Sequence, residues 1–423
     1  MNLAVKKSFK LNGEIEIPSD KSLSHRAVIF STLAKGKSII KNFSKGQDPH
    51  STLEICKALG AEINEDGQTV FVNSSGILKK PLNDLYCGNS GTTMRLMSGV
   101  LAGQKFDCIL TGDESLSKRP MKRVIEPLTL MGANICASDF HAPLNIKGAE
   151  LKGITYESKI ASAQVKSCVL LAGLFADGVT KYKEIYPSRN HTEIMLKNMN
   201  ANIYAENDYI CIEKSELKPL EISICGDISS AAYFIVAGLI VPNSRIILKN
   251  IALNPTRSGI IEVVKQMGGN IEILDQSEVC GEVVGDIKIE YSPDMKGIKI
   301  GGGIIPALID EIPVISLLAT QCEGQTVIKD AQDLRNKESD RIKTTVCELQ
   351  KLGAKIEETT DGMVINGKTS LKGGVETKSY KDHRLAMTLY VAGLICEKEI
   401  LINDFEWVNI SFPEFLELFE RLK

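Results

Sequence analysis

The most informative absences from this 423-residue sequence concern charge and long apolar runs. Lys and Arg total 50 against 53 Asp and Glu, so the chain lacks the cationic excess of a general nucleic-acid binder. The longest apolar run, residues 231–241, is too short to span a bilayer. Lys6, Lys7 and Lys10 are followed by no apolar block, so we expect no secretory signal. These features exclude nucleic acid and membrane as expected partners.

Cysteine and histidine form no recognisable metal or redox motif. The eleven cysteines include no pair at the two-residue gap of a zinc or disulfide-exchange site. The five histidines show no metal-ligand spacing, and no glycine-rich loop for ATP is present. We therefore expect reduced thiols in a cytoplasmic protein that needs no metal. With 43% hydrophobic and 24% charged residues, the chain is globular and long enough for two or three domains.

One short phrase recurs five times along the chain, at 58–63, 130–135, 198–203, 266–271 and 351–356. Each copy follows apolar residues at helical spacing and precedes a β-branched run. Gly, or Asn200 in one copy, stands where a left-handed cap lets a helix turn into a strand. The copies are roughly 70 to 85 residues apart, so each belongs to a repeat larger than one solenoid unit.

An earlier apolar helix precedes each of these phrases. Such helices are predicted at 24–33, 164–175, 229–240 and 312–320, each followed by a short strand. A sixth copy begins at Asp382 and ends in a C-terminal helix over 413–422. The alternation predicts six units of α/β (α+β) type, divided three and three near residues 224–227.

Polar clusters stand just before these helices or in their first turns. They lie at 18–26, 88–95, 116–120, 161–166, 187–193, 309–311, 335–341 and 381–384. A helix N-terminus binds phosphate or carboxylate, because its N–H groups are unpaired and its dipole is positive there. Arg and Lys oppose that dipole, so their repetition in these positions suggests an anionic ligand. Ordinary capping by Ser, Thr, Asp and Asn explains any single cluster equally well.

Two of the basic clusters also have simple alternatives. Lys118 and Arg119, with Lys122 and Arg123, could form a solvated basic face. The segment 337–341 has Lys and Arg four residues apart around a Glu, which an exposed salt-bridged helix would explain.

Taken together, the polar segments closely resemble the 5-enolpyruvylshikimate-3-phosphate synthase family. The resemblance spans essentially the whole chain and is strongest at 20–26, 88–95, 118–120, 162–164, 337–341 and 382–384. It implies two similar domains, each of three repeated β-α-β-α-β-β units, with the active site in the inter-domain cleft. The implied N-terminal domain covers 14–224, and the C-terminal domain covers 1–13 and 225–423. Hinge strands are expected near 11–15 and 224–228.

The resemblance also implies an activity and a set of roles. The enzyme would transfer the enolpyruvyl group of phosphoenolpyruvate to 3-phosphoshikimate without any cofactor. The implied catalytic residues are Lys21, Asp310 and Glu338. The implied 3-phosphoshikimate ligands are Lys21, Ser22, Arg26, Ser162, Gln164, Ser188, Asp310 and Lys337. The implied phosphoenolpyruvate ligands are Lys21, Asn89, Gly91, Arg119, Gln164, Lys337, Arg341 and Arg384. Arg95 and His383 are implied to support the site.

Several positions depart from the enterobacterial and plant pattern. Leu96 replaces a Pro, and Ala163 replaces a Ser that would offer another phosphate donor. Ile410 stands where a Lys is expected, so the chain lacks that cation at this position. Gly91 is retained where glyphosate-tolerant members carry Ala, so we expect sensitivity to glyphosate.

Two other functions compete with this interpretation. UDP-N-acetylglucosamine enolpyruvyl transferases share the fold, but they carry Lys-Asn in place of Lys21-Ser22. They also commonly carry a Cys in the loop that here spans 112–120, and this loop has none. A non-catalytic binding protein on the same repeat would have no chemical need for Lys21, Asp310, Glu338 and Arg384. We expect a monomer that acts on small molecules.

Overall fold

Six small β-sheets and the helices between them make up the fold of the computed structural model, which describes residues 1–423. The strands are β1 Leu3–Val5, β2 Asn12–Glu16, β3 Lys35–Lys41, β4 Glu62–Asp66, β5 Thr69–Ser75, β6 Leu85–Tyr86, β7 Cys108–Thr111, β8 Asn134–Ser138, β9 His141–Lys147, β10 Thr155–Ser158, β11 Thr180–Glu184, β12 Ile203–Glu206, β13 Tyr209–Ile212, β14 Glu221–Ser223, β15 Arg245–Ala252, β16 Asn270–Val279, β17 Glu282–Glu290, β18 Lys299–Ile300, β19 Gly324–Ile328, β20 Lys355–Glu358, β21 Met363–Gly367, β22 Glu376–Lys378 and β23 Ile400–Asn403.

Fourteen α-helices and three short 3-10 helices connect these strands. The α-helices are α1 Lys21–Leu33, α2 Gln47–Ala58, α3 Gly91–Ala102, α4 Glu114–Ser117, α5 Lys122–Leu130, α6 Ala163–Gly173, α7 His191–Asn198, α8 Ile228–Ile240, α9 Gly259–Gln266, α10 Ile305–Leu308, α11 Ile312–Thr320, α12 Arg341–Lys351, α13 His383–Gly393 and α14 Phe415–Leu422. The 3-10 helices are Gly302–Ile304, Gln332–Asn336 and Phe405–Ile410.

The chain divides into two compact units. The N-terminal unit comprises Ser19–Ile224 with Glu278–Glu282, and the C-terminal unit comprises Met1–Pro18, Cys225–Ser277 and Val283–Lys423. Each unit contains three of the six sheets, apart from the hairpin tip at Glu278–Glu282.

Five of the sheets share one strand order. They are β14-β3-β5-β4, β6-β7-β9-β8, β10-β11-β13-β12, β2-β15-β17-β16 and β18-β19-β21-β20. In each, the first pair is parallel and the second pair is antiparallel. The repeated β-α-β-α-β-β unit is therefore confirmed, since a parallel pair requires a crossover such as a helix.

Two sheets receive their first strand from a distant part of the chain. β14, at the end of the N-terminal unit, pairs in parallel with β3, and β2 pairs in parallel with β15. The sixth sheet is smaller, with the order β1-β23-β22. There β22 pairs in parallel with β23, while β1 pairs antiparallel with it.

The five predicted helix caps adopt the left-handed conformation. Their φ angles are 98° at Gly60, 98° at Gly132, 67° at Asn200, 84° at Gly268 and 100° at Gly353. Each residue lies between a helix and the strand that follows it, as the recurring phrase predicted. Glycine fits because it has no Cβ to clash at positive φ, and Asn tolerates the same region better than most residues.

Three helices in each unit are buried along nearly their whole length. They are α1, α3 and α6 in the N-terminal unit and α8, α11 and α13 in the C-terminal unit. In the C-terminal unit, Phe234 stacks on Phe419 at 4.3 Å between ring centroids, and Tyr390 lies 4.9 Å from Phe419.

No single helix is long and apolar enough to cross a membrane. The bent helix pair Gly302–Leu308 and Ile312–Thr320 has the length and composition of a membrane span only when the two helices are counted together.

Candidate active site

Five helices that follow polar clusters begin at a capping residue, so the capping interpretation is correct for those five clusters. In each of the five, a side-chain oxygen accepts a backbone N–H of the first turn. The pairs are Asp20 with Leu23 (2.8 Å), Ser90 with Thr93 (3.1 Å), Ser162 with Val165 (3.5 Å), Asp340 with Lys343 (3.0 Å) and Asp382 with Arg384 (2.9 Å). The proposed ligands Lys21, Gly91, Gln164, Arg341 and Arg384 occupy these same first turns.

Lys21 is the first residue of α1 and forms an ion pair with a carboxylate. Its Nζ lies 3.0 Å from Oδ2 of Asp48, near the start of α2. The two side chains are 23% and 13% exposed, so the pair is partly shielded from water but accessible to a ligand. A cation so placed can bind an anion and can exchange a proton with it.

The N-termini of α3 and α6 meet around Gly91. Arg95 donates from Nη1 to Oε1 of Gln164 at 2.6 Å, and Gln164 donates from Nε2 to Oγ1 of Thr92 at 2.9 Å. A Cβ at Gly91 would lie 2.8 Å from Nη1 of Arg95 and 3.5 Å from Nη1 of Arg119. The glycine therefore leaves room beside two guanidinium groups.

The loop that carries Arg119 is held by a short hydrogen-bonded chain. Arg119 donates from Nη2 to Oδ1 of Asn89 at 2.7 Å, and Asn89 donates from Nδ2 to Oδ2 of Asp113 at 2.7 Å. Asp113 caps α4 by accepting the backbone N–H of Leu116 at 2.7 Å. This arrangement fixes Arg119 near Gly91.

Arg26 is buried and joins three segments. It donates from Nε to Thr192 Oγ1 at 2.8 Å, from Nη2 to Ser167 Oγ at 2.9 Å and from Nη1 to the carbonyl of Ser22 at 3.0 Å. Burial lowers the pKa of Arg26 to about 10, and the nearby charge of Glu193 opposes that shift. The guanidinium is thus a desolvated cation, which an anionic ligand would stabilise.

The Ser188 side chain already has a hydrogen-bond partner within the protein. Its hydroxyl donates to Oε2 of Glu184 at 2.6 Å, and its backbone N–H donates to Oε1 at 2.7 Å. Lys166, which is 1% exposed, pairs with Glu184 at 2.9 Å and with Glu193 at 2.8 Å. Ser188 is therefore held by a buried ion pair, which no sequence motif indicated.

In the C-terminal unit, four cations surround Asp310. Its carboxylate lies 3.4 Å from Arg341 Nη1, 3.7 Å from Arg384 Nη2, and 3.9 Å from both Lys337 Nζ and Arg257 Nη1. Arg384 also donates from Nη1 to the Asp310 carbonyl at 3.3 Å. The structure thus brings together Asp310, Lys337, Arg341 and Arg384 in one unit.

Arg341 donates hydrogen bonds to two carboxylates. It donates from Nε and Nη2 to Asp382, at 2.8 Å and 3.2 Å, and from Nη2 to Oε2 of Glu338 at 2.5 Å. Burial alone would lower the pKa of Arg341, but the charges of Asp382 and Glu338 outweigh it and raise the pKa. Arg384 behaves similarly: burial alone would lower its pKa, but Asp310, Glu311 and Asp227 together with Tyr233 outweigh burial and raise the pKa. Both guanidinium groups remain charged.

The alternative interpretation of residues 337–341 is wrong. Helix α12 begins at Arg341, so Lys337 and Glu338 lie outside it, after the 3-10 helix Gln332–Asn336. The segment is therefore not an exposed salt-bridged helix face. The break occurs because Asp340 caps the helix, with non-helical backbone at ψ 87°.

The remaining expected residues take supporting places. His383 is the first residue of α13 and is buried, whereas Ile410 ends the 3-10 helix Phe405–Ile410 and brings no charge. No group of three or more His, Cys, Asp or Glu side chains in the chain is arranged to hold a metal ion.

Sequence reasoning missed Arg257 and gave no role to its partners Glu311 and Asp227. A signal was available, because Arg257 follows Pro255-Thr256 in unit four as Arg189 follows Pro187-Ser188 in unit three. Both arginines lie just before the second helix of their unit, α9 and α7. Alignment of the internal repeats would have singled out Arg257.

Comparison with known proteins gives a consistent result over the full chain. Residues 5–419 match the family model described as EPSP synthase (3-phosphoshikimate 1-carboxyvinyltransferase). The 3-phosphoshikimate 1-carboxyvinyltransferase of Thermodesulfovibrio yellowstonii is 53% identical, with all of both chains covered. That of Bacillus subtilis is 50% identical, with 97% of both chains covered.

Solved structures agree with the sequence comparison. The EPSP synthase of Acinetobacter baumannii superposes with a TM-score of 0.88 at 40% identity, covering 100% of this chain and 98% of that one. The enolpyruvyl transferase NikO of Streptomyces tendae has a TM-score of 0.82 at 16% identity, covering 100% and 97%. The second likeness supports the fold alone.

Proposed function

The chain belongs to the EPSP synthase family, and from this premise we propose how its residues divide the work of the family reaction. The enzyme transfers the enolpyruvyl group of phosphoenolpyruvate to the 5-hydroxyl of 3-phosphoshikimate and releases phosphate. This is a step of the shikimate pathway. The observation that most strongly supports the residue roles is the group of four cations around Asp310.

Phosphoenolpyruvate is bound by cations and helix N-termini. In the C-terminal unit Lys337, Arg341 and Arg384 supply the charge, because each already pairs with a carboxylate that a bound anion can replace. In the N-terminal unit Arg119 and the open space at Gly91 contribute, together with Lys21, Asn89 and Gln164. Guanidinium groups suit phosphate and carboxylate because they donate two parallel hydrogen bonds.

The ring substrate is bound by hydroxyl, amide and charged side chains, several of them at the starts of α1 and α6. The proposed ligands are Lys21, Ser22, Arg26, Ser162, Gln164, Ser188, Asp310 and Lys337. The Ser188 hydroxyl donates a hydrogen bond to Glu184 in this structure, so it must rotate before it can donate one to a phosphate. The buried charge of Arg26 favours an anionic group of the substrate.

In the addition step, the 5-hydroxyl oxygen attacks C2 of phosphoenolpyruvate. Asp310 accepts the hydroxyl proton as the general base. A proton is placed on the C3 methylene carbon, which becomes a methyl group, and Lys21 and Glu338 are the proposed donors. Groups positioned for such transfers contribute about 10²–10⁴-fold each.

In the elimination step, Glu338 removes a proton from that methyl group as the C–O bond to phosphate breaks. Glu338 is paired with Arg341 at 2.5 Å here. An anion that takes this arginine's donors leaves Glu338 with less opposing charge, so its affinity for a proton rises. The same binding event therefore prepares the carboxylate for its role.

Phosphate release is the direct test of the reaction. Purified enzyme is given phosphoenolpyruvate with either 3-phosphoshikimate or UDP-N-acetylglucosamine. We expect release only with 3-phosphoshikimate. Release only with the sugar nucleotide would assign the enzyme to the sister activity, and no release with either would refute the enzymatic function.

We also propose that the enzyme is a cytoplasmic monomer that uses no cofactor, nucleic acid or membrane. The balance of 50 basic against 53 acidic residues supports the absence of nucleic acid. Light scattering across a concentration series should give the mass of one chain, and a twofold mass would contradict the monomer.

A further inference from the structure

A buried arginine lies beside the proposed general base. Arg257 is 2% exposed, and its Nη1 lies 3.9 Å from Oδ2 of Asp310 and 3.5 Å from Oε1 of Glu311. Its Nη2 lies 3.4 Å from Oδ1 of Asp227 and donates to Oγ of Ser229. Both terminal nitrogens of Arg257 are thus engaged by protein groups, and we assign it no substrate contact.

We propose that Arg257 is a positioning residue that keeps Asp310 ionised and oriented once phosphoenolpyruvate is bound. This proposal rests on the proposed function, in which Asp310 accepts the hydroxyl proton. Without substrate, Asp310 shares the charges of Lys337, Arg341 and Arg384. An anion bound to those three cations competes with Asp310 for them. In this proposal the charge of Arg257 stays with Asp310, because Asp227, Glu311 and Ser229 also hold the guanidinium in place.

Glu311 makes this role necessary. Its Oε1 lies 3.5 Å from Nη1 of Arg257 and 3.7 Å from Nη1 of Arg384, and it also accepts from Ser229. A buried carboxylate next to Asp310 would raise the affinity of Asp310 for a proton. Arg257 offsets that effect, since it contacts both carboxylates.

Other charged and titratable groups also face this cluster. They are Lys337, Arg341 and Arg384 among the cations, and Asp227, Asp333, Glu338 and Asp382 among the carboxylates. Tyr233 lies near the arginines, and burial raises its pKa, so it stays neutral. None of these residues is substituted in an Arg257 variant, and the phosphates of the substrates titrate equally in every variant. A difference between variants therefore reports Arg257.

The first test is the pH dependence of kcat in the full-length enzyme with Arg257→Met. Removing the guanidinium makes Asp310 easier to protonate. The acid limb of the profile, where kcat falls as the pH decreases, should therefore move to higher pH by on the order of one unit. We expect kcat at neutral pH to fall by about tenfold or more while KM for phosphoenolpyruvate changes less than about threefold, since Arg257 does not touch that substrate. An unmoved acid limb in active protein would overturn the proposal.

Two more conservative substitutions test the same role if Arg257→Met does not fold. Arg257→Lys retains the charge, so the acid limb should stay where it is in the wild type although kcat falls. Glu311→Gln removes the opposing carboxylate, so the acid limb should move down in pH. A limb that rises in Arg257→Lys, or fails to fall in Glu311→Gln, would refute the electrostatic role.

Two controls separate this proposal from the proposed function. Arg421→Gln makes the same change in net charge at an exposed arginine paired with Glu417, and should leave the profile unchanged. Asp310→Asn should abolish the acid limb together with most of the turnover. Absence of phosphate release by the wild type would refute the function itself, whereas wild-type turnover with an unshifted Arg257→Met limb would refute only the role of Arg257.

Discussion

The guanidinium of Arg341 forms two hydrogen bonds with the carboxylate of Asp382, 2.8 Å from Nε to Oδ2 and 3.2 Å from Nη2 to Oδ1. Both side chains are almost completely buried. Asp382 also accepts the backbone N–H of Arg384 at 2.9 Å and the hydroxyl of Ser339 at 2.9 Å. One carboxylate therefore positions two arginines, and this pair stabilises the part of the C-terminal unit that we propose binds phosphoenolpyruvate.

Replacing Asp382 with Asn should destabilise the protein by about 3–5 kcal/mol, because a buried guanidinium loses its charged partner. Burial alone would raise the pKa of Asp382, but the charge of Arg341 lowers it. Its contribution is thus complete above about pH 4 and is lost as pH falls through the lower folded value. Urea unfolding at pH 7 measures the effect, with the exposed Asp294→Asn as control. Equal stability in the two variants would contradict this assignment.

Gly91→Ala should weaken inhibition by glyphosate, which we expect to compete with phosphoenolpyruvate in the wild type. The new Cβ would lie 2.8 Å from Nη1 of Arg95, so that guanidinium must shift, whereas its 3.5 Å distance from Nη1 of Arg119 is an ordinary contact that narrows the space beside that group. We expect the concentration for half inhibition to rise by about tenfold, a cost of about 1.4 kcal/mol, with a smaller rise in KM for phosphoenolpyruvate. The wild type should be tested with scarce phosphoenolpyruvate. Turnover unaffected by high glyphosate under those conditions would show that the expected sensitivity is absent.

Glu338→Gln should lower kcat by about 10²–10⁴-fold, because it removes a proton carrier. Substrate binding should change little, since the amide oxygen can still accept the 2.5 Å hydrogen bond from Arg341. Steady-state kinetics separates the two effects. Glu358→Gln, at a partly exposed residue near Arg335 in the same unit, is the matched control and should retain turnover. Near-normal kcat in Glu338→Gln would remove Glu338 from the mechanism.

His25 should make the stability of the protein depend on pH. Burial lowers the pKa of His25 to about 3, although Asp48 opposes the shift. Below about pH 6.5 His25 is protonated in the unfolded chain but stays neutral in the folded protein. This residue alone therefore lowers the free energy of unfolding by about 1.4 kcal/mol per pH unit, down to about pH 3. The non-titrating His25→Asn should show a shallower loss of stability between pH 6.5 and 4 in urea unfolding. Parallel curves for the two proteins would contradict the buried neutral state.

Much of the fold was predictable because its signals are local. The left-handed caps at Gly60 and Gly353 follow from glycine's freedom at positive φ, and helix α11 has the predicted bounds Ile312–Thr320. The parallel pairing of β14 with β3 was not predictable in this way, because Glu221 and its partner Ile39 are separated in sequence by most of the N-terminal unit. Such pairings depend on how the chain closes on itself, which periodicity does not encode.

Some features of the candidate site are likewise predictable from local sequence, and others are not. The positions of Lys21, Gly91 and Arg384 at helix starts follow from capping and turn chemistry within a few residues. The direction of the Ser188 hydroxyl toward Glu184 does not, because it depends on a buried ion pair with Lys166.

By itself, the sequence determined the six-unit repeat, the helix starts and the family, because each depends on short patterns repeated along the whole chain. Only the tertiary structure decided that Asp310 lies within 4 Å of four cations from three other segments, and that Arg257 is one of them. The physical reason is that caps and periodicities act over a few residues, whereas electrostatic interactions depend on distance in space and ignore separation along the chain.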